Sequence, residues 1–144
     1  MIVDANVLLY AVDRSAAQHE RAAGWLEERF DGSERVGLPW VSLTAFLRIV
    51  THPRVFPRPL RAEDAWRFVT DWLGQDLAWI PQPTSRHATV LGELIARHRP
   101  TANLIPDAHL AALAIEHGLA IASADSDFAR FPEVRWTNPL AGVR

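Results

Sequence analysis

The sequence predicts an α/β fold, with a mostly parallel sheet covered by helices on both faces. Short apolar runs such as Ile2-Val3 and Leu119-Ala-Ile-Ala122 alternate with longer amphipathic stretches along the chain. That is the pattern of repeated strand–helix crossovers, whose strands are buried from both sides. At 144 residues, 49% hydrophobic and 22% charged, the chain has the balance of one globular domain spanning 1–144 with a sizeable core.

The elements follow in order. Ile2-Val3 is a short strand, Asp4-Ala5-Asn6 a polar break, and Val7 to Tyr10 the body of a short helix. Residues 16–30 place Ala22, Trp25, Leu26 and Phe30 at helical spacing before Gly32-Ser33 stops them. Residues 35–40 read as a short strand or connector, and 41–50 as a buried helix closed by Pro53. The proline-rich stretch after it is a loop. Residues 62–73 form an amphipathic helix, and 77–83 a strand stopped by proline. Residues 85–98 form a helix capped by Thr84 or Ser85. A loop over 99–106 leads into a helix over 107–117, with Gly118 as its stop. "LAIASAD" is a strand, and residues 133–140 supply a last one.

Composition narrows the function classes. There is no cysteine, so neither disulfides nor a thiolate metal site is available, and a cytoplasmic location is expected. No apolar run reaches the ~20 residues that span a bilayer, and no leader segment is read at the start. All 15 basic residues in the Lys+Arg count are arginine, which excludes lysine-dependent chemistry. A net charge of −2 does not advertise a nucleic-acid binder. Six tryptophans offer aromatic area for a core, an interface or both.

Three carboxylates occupy unusual places. Asp4 directly follows the first strand and Asp125 lies just beyond the late one, on the edge where open parallel sheets bind ligands. Asp107 follows Pro106 at a helix start. At about 100° per residue it points almost opposite His109, toward the buried side. Each acid also has a structural reading: Asp4 as a helix cap, Asp107 as a dipole complement, Asp125 as an Asx-turn. Together they repel unless they share protons or bind a cation, and oxygen ligands without cysteine favour Mg²⁺ or Mn²⁺. Asp127 is either a further ligand, a hydrogen-bond acceptor behind the ligands, or an acid opening a short helix. His109 and His117 read as surface residues.

Other site classes are missing their residues. Phosphoryl-aspartate enzymes lean on a lysine and, in one group, on a second acid where this chain has Asn6. There is no Gly-x-x-x-x-Gly-Lys loop, no Gly-x-Gly fingerprint and no His-Glu-x-x-His helix.

"MIVDANVLLYA", "IPDAHLAALAIEHG" and "ASADSDFARFP" together resemble the PIN-domain ribonucleases, specifically the VapC-type toxins of toxin–antitoxin pairs. The likeness extends through "FLRIVTHPRVF" to the closing "RWTNPL". It implies a three-layer α/β/α sandwich, a divalent-metal acidic site, RNA cleavage, a homodimer or higher assembly, and a VapB-like antitoxin partner. Carried over by position, Asp4, Asp107 and Asp125 are the catalytic acids and metal ligands. Asn6 orients Asp4, and Ser123 stands beside the last acid. The departure is Ala45, which stands where such toxins usually carry glutamate; no Asp or Glu occurs between Glu34 and Glu63, and Asp127 is the acid placed to compensate.

For substrate, Arg48, His52 and Arg54, followed by Phe56, Arg58 and Arg61, supply phosphate-binding and stacking groups. They equally suit a solvated basic loop. Trp25, Trp66 and Trp72 are candidates either for a partner surface or for the core. The expected function is a metal-dependent endoribonuclease toxin. The alternative is a non-catalytic PIN-like module, binding RNA or protein, that has lost one site acid.

Overall fold

The computed structural model describes residues 1–142, so the last two residues of the expected 1–144 domain lie outside the described residues. Five strands of two residues each form one sheet: β1 (Ile2–Val3), β2 (Val36–Gly37), β3 (Ala78–Trp79), β4 (Ile121–Ala122) and β5 (Trp136–Thr137). All neighbours are parallel, in the order β3-β2-β1-β4-β5. The connecting helices are α1 (Ala5–Val12), α2 (His19–Phe30), α3 (Trp40–Val50), α4 (Ala62–Leu73), α5 (His87–His98) and α6 (Leu104–His117), and a 3-10 turn covers Ser126–Arg130.

Strand alternation sorts the core into two halves. Ile2 joins Leu94 of α5, Leu110 and Leu113 of α6, Ile121, Phe128 and Phe131 on one face. Val3, the next residue, points the other way, into Val7, Leu8, Leu43, Phe46, Val69 and Trp72 from α1, α3 and α4. The result is the expected α/β/α sandwich.

Helix α4 occupies the expected range. Helix α2 starts at His19, three residues later than expected, and α3 starts one residue early, after extended Pro39 (φ −67, ψ 150). Helix α5 starts at His87, and neither Thr84 nor Ser85 is its cap residue. Thr84 instead builds the preceding turn: its hydroxyl accepts from the Arg86 N–H at 3.1 Å. Helix α6 begins at Leu104, inside the expected loop, and its first turn holds Pro106, where a missing N–H is harmless. Gly118 closes it at φ 66, a left-handed conformation that suits glycine. The strands are shorter than the apolar runs; after β3 the chain meets Pro81 and Pro83, which cannot donate to a ladder.

Candidate active site

Because β1 lies between β2 and β4 and the chain order reverses there, the crevice beyond the β1 and β4 ends is a topological switch point, where such sheets bind ligands. Pairing of Val3 with Ala122 sets Asp4 level with Ser123, so the residues following both strands meet across that crevice.

Asp4 caps α1. Its Oδ1 accepts from the Ala5 N–H at 2.8 Å, and its Oδ2 accepts from Ser123 Oγ at 2.7 Å and Asn6 Nδ2 at 3.2 Å. The Asn6 amide also donates to Ser123 Oγ at 3.0 Å and accepts from the Ala124 N–H at 3.0 Å. Ser123 is fully buried, and its Oγ accepts a further bond from the Asp125 N–H at 3.0 Å. Asn6 and Ser123 thus both bond the Asp4 carboxylate and each other.

Asp125 makes the turn that the sequence allowed for: its Oδ1 accepts from the Asp127 N–H at 2.8 Å and opens the 3-10 turn. That bond uses one of its two carboxylate oxygens. Asp107, in the first turn of α6, Asp125 and Asp127 each present a carboxylate oxygen, and the three oxygens lie within 4.8 Å of one another. Asp127 thus stands in the cluster and not behind it, while Arg130 approaches its outer side at 3.7 Å.

The electrostatics follow from this crowding. Burial, then the charges of Asp4, Asp125 and Asp127, push the Asp107 carboxyl from its ordinary range up to about 7. Burial also raises Asp4; hydrogen bonds from Ser123 and Ala5 oppose the shift, and the Asp125 charge adds to it. Asp4 is thereby coupled to both Asp107 and Asp125. Three clustered carboxylates, with Asp4 coupled to them by charge and Arg130 only on the outer side of Asp127, are oxygen donors in a cysteine-free chain and fit a hard divalent cation.

Other expected residues fall differently. Ala45 sits half-buried on α3. Arg48 is exposed in the last turn of α3 and Arg54 is exposed in the loop beyond; His52 is partly buried, its Nδ1 accepting from the Arg54 N–H at 3.1 Å. None of the three pairs with the four acids among the described residues. Trp72 is a core residue packed against Phe46, with ring centroids 4.9 Å apart, whereas Trp66 is exposed.

His109 is not a surface residue. It lies half-buried, with Nδ1 3.1 Å from His87 Nε2, and His87 in turn bonds Glu116 through Nδ1. The Glu116 carboxylate is fully shielded and also accepts from the Thr84 N–H (2.9 Å) and hydroxyl (2.6 Å). Reading α6 alone hid this cluster, because its partners come from α5 and the turn before it. His117 is partly buried as well, against Trp79 and the Gln82 carbonyl.

The fold and the acidic crevice define a class. The PIN domain family matches residues 1–134, and the chain belongs to that family. Two of its curated relatives are named as ribonucleases. It is 49% identical to ribonuclease VapC37 of Mycobacterium tuberculosis over 140 residues, covering 97% of each chain. It is 39% identical to ribonuclease VapC33 of the same organism, covering 97% of this chain and 98% of that one. Among solved structures, VapBC2 from Rickettsia felis, bound to a DNA fragment from its promoter, superposes with a TM-score of 0.72 at 16% identity, covering 95% and 96% of the chains. FitAcB from Neisseria gonorrhoeae gives 0.64 at 18% identity, covering 97% and 98%. These structural likenesses are of fold.

Proposed function

We propose that the protein is a VapC-type toxin, an endoribonuclease that hydrolyses RNA phosphodiester bonds with Mg²⁺ or Mn²⁺. The observation that carries this reading is the convergence of oxygens from Asp107, Asp125 and Asp127 within 4.8 Å, with Asp4 coupled to them. These four acids are the residues that would hold the ion. When bound, such an ion offsets charge on the phosphate and lowers the pKa of water enough to make it a nucleophile.

The chain's own groups prepare that pocket. The Ala5 N–H and the Ser123 hydroxyl fix the two Asp4 oxygens, so the carboxylate meets its ligand without reorganising. The Asp127 N–H fixes Oδ1 of Asp125 and leaves Oδ2 for the pocket. Burial and like charge raise Asp107 to about 7, so a bound cation would favour its ionised form. Asp127 joins Asp107 and Asp125 in the cluster despite Ala45, which favours a catalytic site over a non-catalytic module. The decisive experiment is cleavage of a mixed RNA panel by antitoxin-free protein with Mg²⁺, Mn²⁺ or EDTA, alongside Asp107→Asn. Failure of the wild type to cut any RNA with either metal would sink the reading.

As a toxin acting on RNA, the protein belongs in the cytoplasm, held silent by a VapB-like antitoxin. No helix among the described residues is long and apolar enough to cross a membrane. A groove of about 300 Å³ between α1, α2 and α4, lined by Val12, Leu26, Phe30, Phe68 and Trp72, suits an amphipathic antitoxin segment. Exposed Ile95 and Ile105 offer apolar area for a homodimer or higher assembly.

A further inference from the structure

Two exposed tryptophans lie outside both the core and that groove. Trp40 opens α3 and Trp66 lies on α4; their rings are nearly parallel, 11° apart with centroids 6.4 Å apart. Both stay open to solvent, 40% and 45% exposed. Two large indoles held flat against each other yet not covered are a surface awaiting a flat partner.

The pair's place in the fold says which partner. Ile2 pairs with Gly37, so Asp4 stands level with Pro39, and Trp40 follows one residue later on the neighbouring strand's exit. Adjacent strands are about 4.8 Å apart. Trp40 therefore leaves the same end of the sheet as Asp4, one strand over, on the side of β1 away from β4. From Trp40, the exposed face of α3 continues one turn at a time through Thr44 to Arg48. Arg48 carries no ion pair among the described residues. An aromatic face at the same end of the sheet as the acids, followed by a free guanidinium on one helix stripe, matches a base with its phosphate.

We propose that Trp40 and Trp66 form a stacking platform for an unpaired base of the RNA next to the scissile phosphate, with Arg48 taking a neighbouring phosphate. This rests on the ribonuclease reading and adds to it the residues that would hold a base. Stacking is tolerant of base identity, since every base has a flat face, so the platform selects single strands and loops over duplex.

The test compares wild type with Trp40→Leu, Trp66→Leu and Trp40→Phe, each also in an Asp107→Asn background that does not cleave. Binding of a labelled, unstructured 12-nucleotide RNA is read by fluorescence anisotropy in Mg²⁺. Either leucine variant should weaken binding by roughly 5- to 100-fold, and phenylalanine should restore most of it. In the cleaving forms, KM should rise by a similar factor while kcat changes little. A hairpin cut in its loop should suffer; a fully paired duplex should bind all variants alike.

RNA binding by both leucine variants equal to wild type, with unchanged melting curves, overturns the platform while leaving the nuclease reading intact. Equal RNA binding combined with loss of dimer in sedimentation, or with loss of antitoxin capture, overturns it too and gives the pair to that interface. If wild type itself neither binds nor cuts the RNA, platform and nuclease reading fall together.

Discussion

Asp107 and Ser123 carry opposite burdens at the site. Asp107 is crowded by like charge, and with its folded pKa near 7, above the usual 3.8, its protonated form is the one the folded state favours. The sign follows from linkage: its contribution to stability is complete below about pH 4 and is lost as pH rises through 7. Metal-free protein should melt at a lower temperature at pH 8 than at pH 5, and a divalent cation should reverse that loss. Asp107→Asn should flatten this slope, raise the metal-free melting temperature at pH 8, and abolish cleavage. Calorimetry in EDTA and in Mg²⁺ checks all but the last, which an RNA assay reads. Ser123 is the reverse case, a buried hydroxyl bonded to Asp4, Asn6 and Asp125. Ser123→Ala strands two donors; it should cost about 1–3 kcal/mol and slow cleavage about 10- to 100-fold. Unchanged cleavage in that variant would show that Asp4 needs no help to hold its position.

At the scale of elements, the α5–α6 pair is clamped by Glu116, His87 and His109. Burial alone would raise Glu116, but bonds from Thr84 and His87 outweigh it and hold the carboxyl low. Burial and then the neighbouring His87 lower His109. Both shifts have the same sign for stability: the contribution is present above the unfolded values and is lost as pH falls. Glu116→Ala should cost about 2–3 kcal/mol at pH 7 and noticeably less at pH 4, as urea titrations would show. A cost independent of pH would mean the clamp acts through packing alone. The same pair marks where sequence reading reached its limit. Spacing within α6 turns Asp107 away from His109, and the structure bears that out. Spacing cannot say that α5 covers His109, or that Trp79 and Gln82 cover His117, so in sequence both histidines read as surface residues. Helix α4 was legible to the residue because its apolar stripe is bounded by loops on both sides. The start of α6 was not, because Pro106 reads as a loop residue in sequence and as a harmless first-turn residue in space.

At the scale of the molecule, both faces of the sheet share two-residue strands, so neither half of the core can open without the other. Leu113→Ala on one face and Phe46→Ala on the other should each cost about 2–5 kcal/mol. Near- and far-UV circular dichroism should then lose signal in one coincident transition for both variants. A variant that melts in two steps would show the faces to be separable. The overall architecture was readable from the alternation of short apolar runs with helices, and the meeting of Asp4 and Asp125 from their places after strand ends. The sequence alone leaves the membership of Asp127 open, because only the turn that Asp125 itself closes decides where the next carboxylate falls.

Strands this brief supply little backbone ladder, and the Asp4–Ser123 and Asn6–Ala124 bonds lie directly beyond the last rungs of β1 and β4. They extend the seam between the two strands by side chains, so the reactive end of the protein is also part of its masonry. Disarming the protein for crystallisation or antitoxin studies is therefore safer at Asp107 than at Asp4. Relieving crowded charge leaves that seam shut, whereas altering Asp4 unpicks the stitch that the two central strands share.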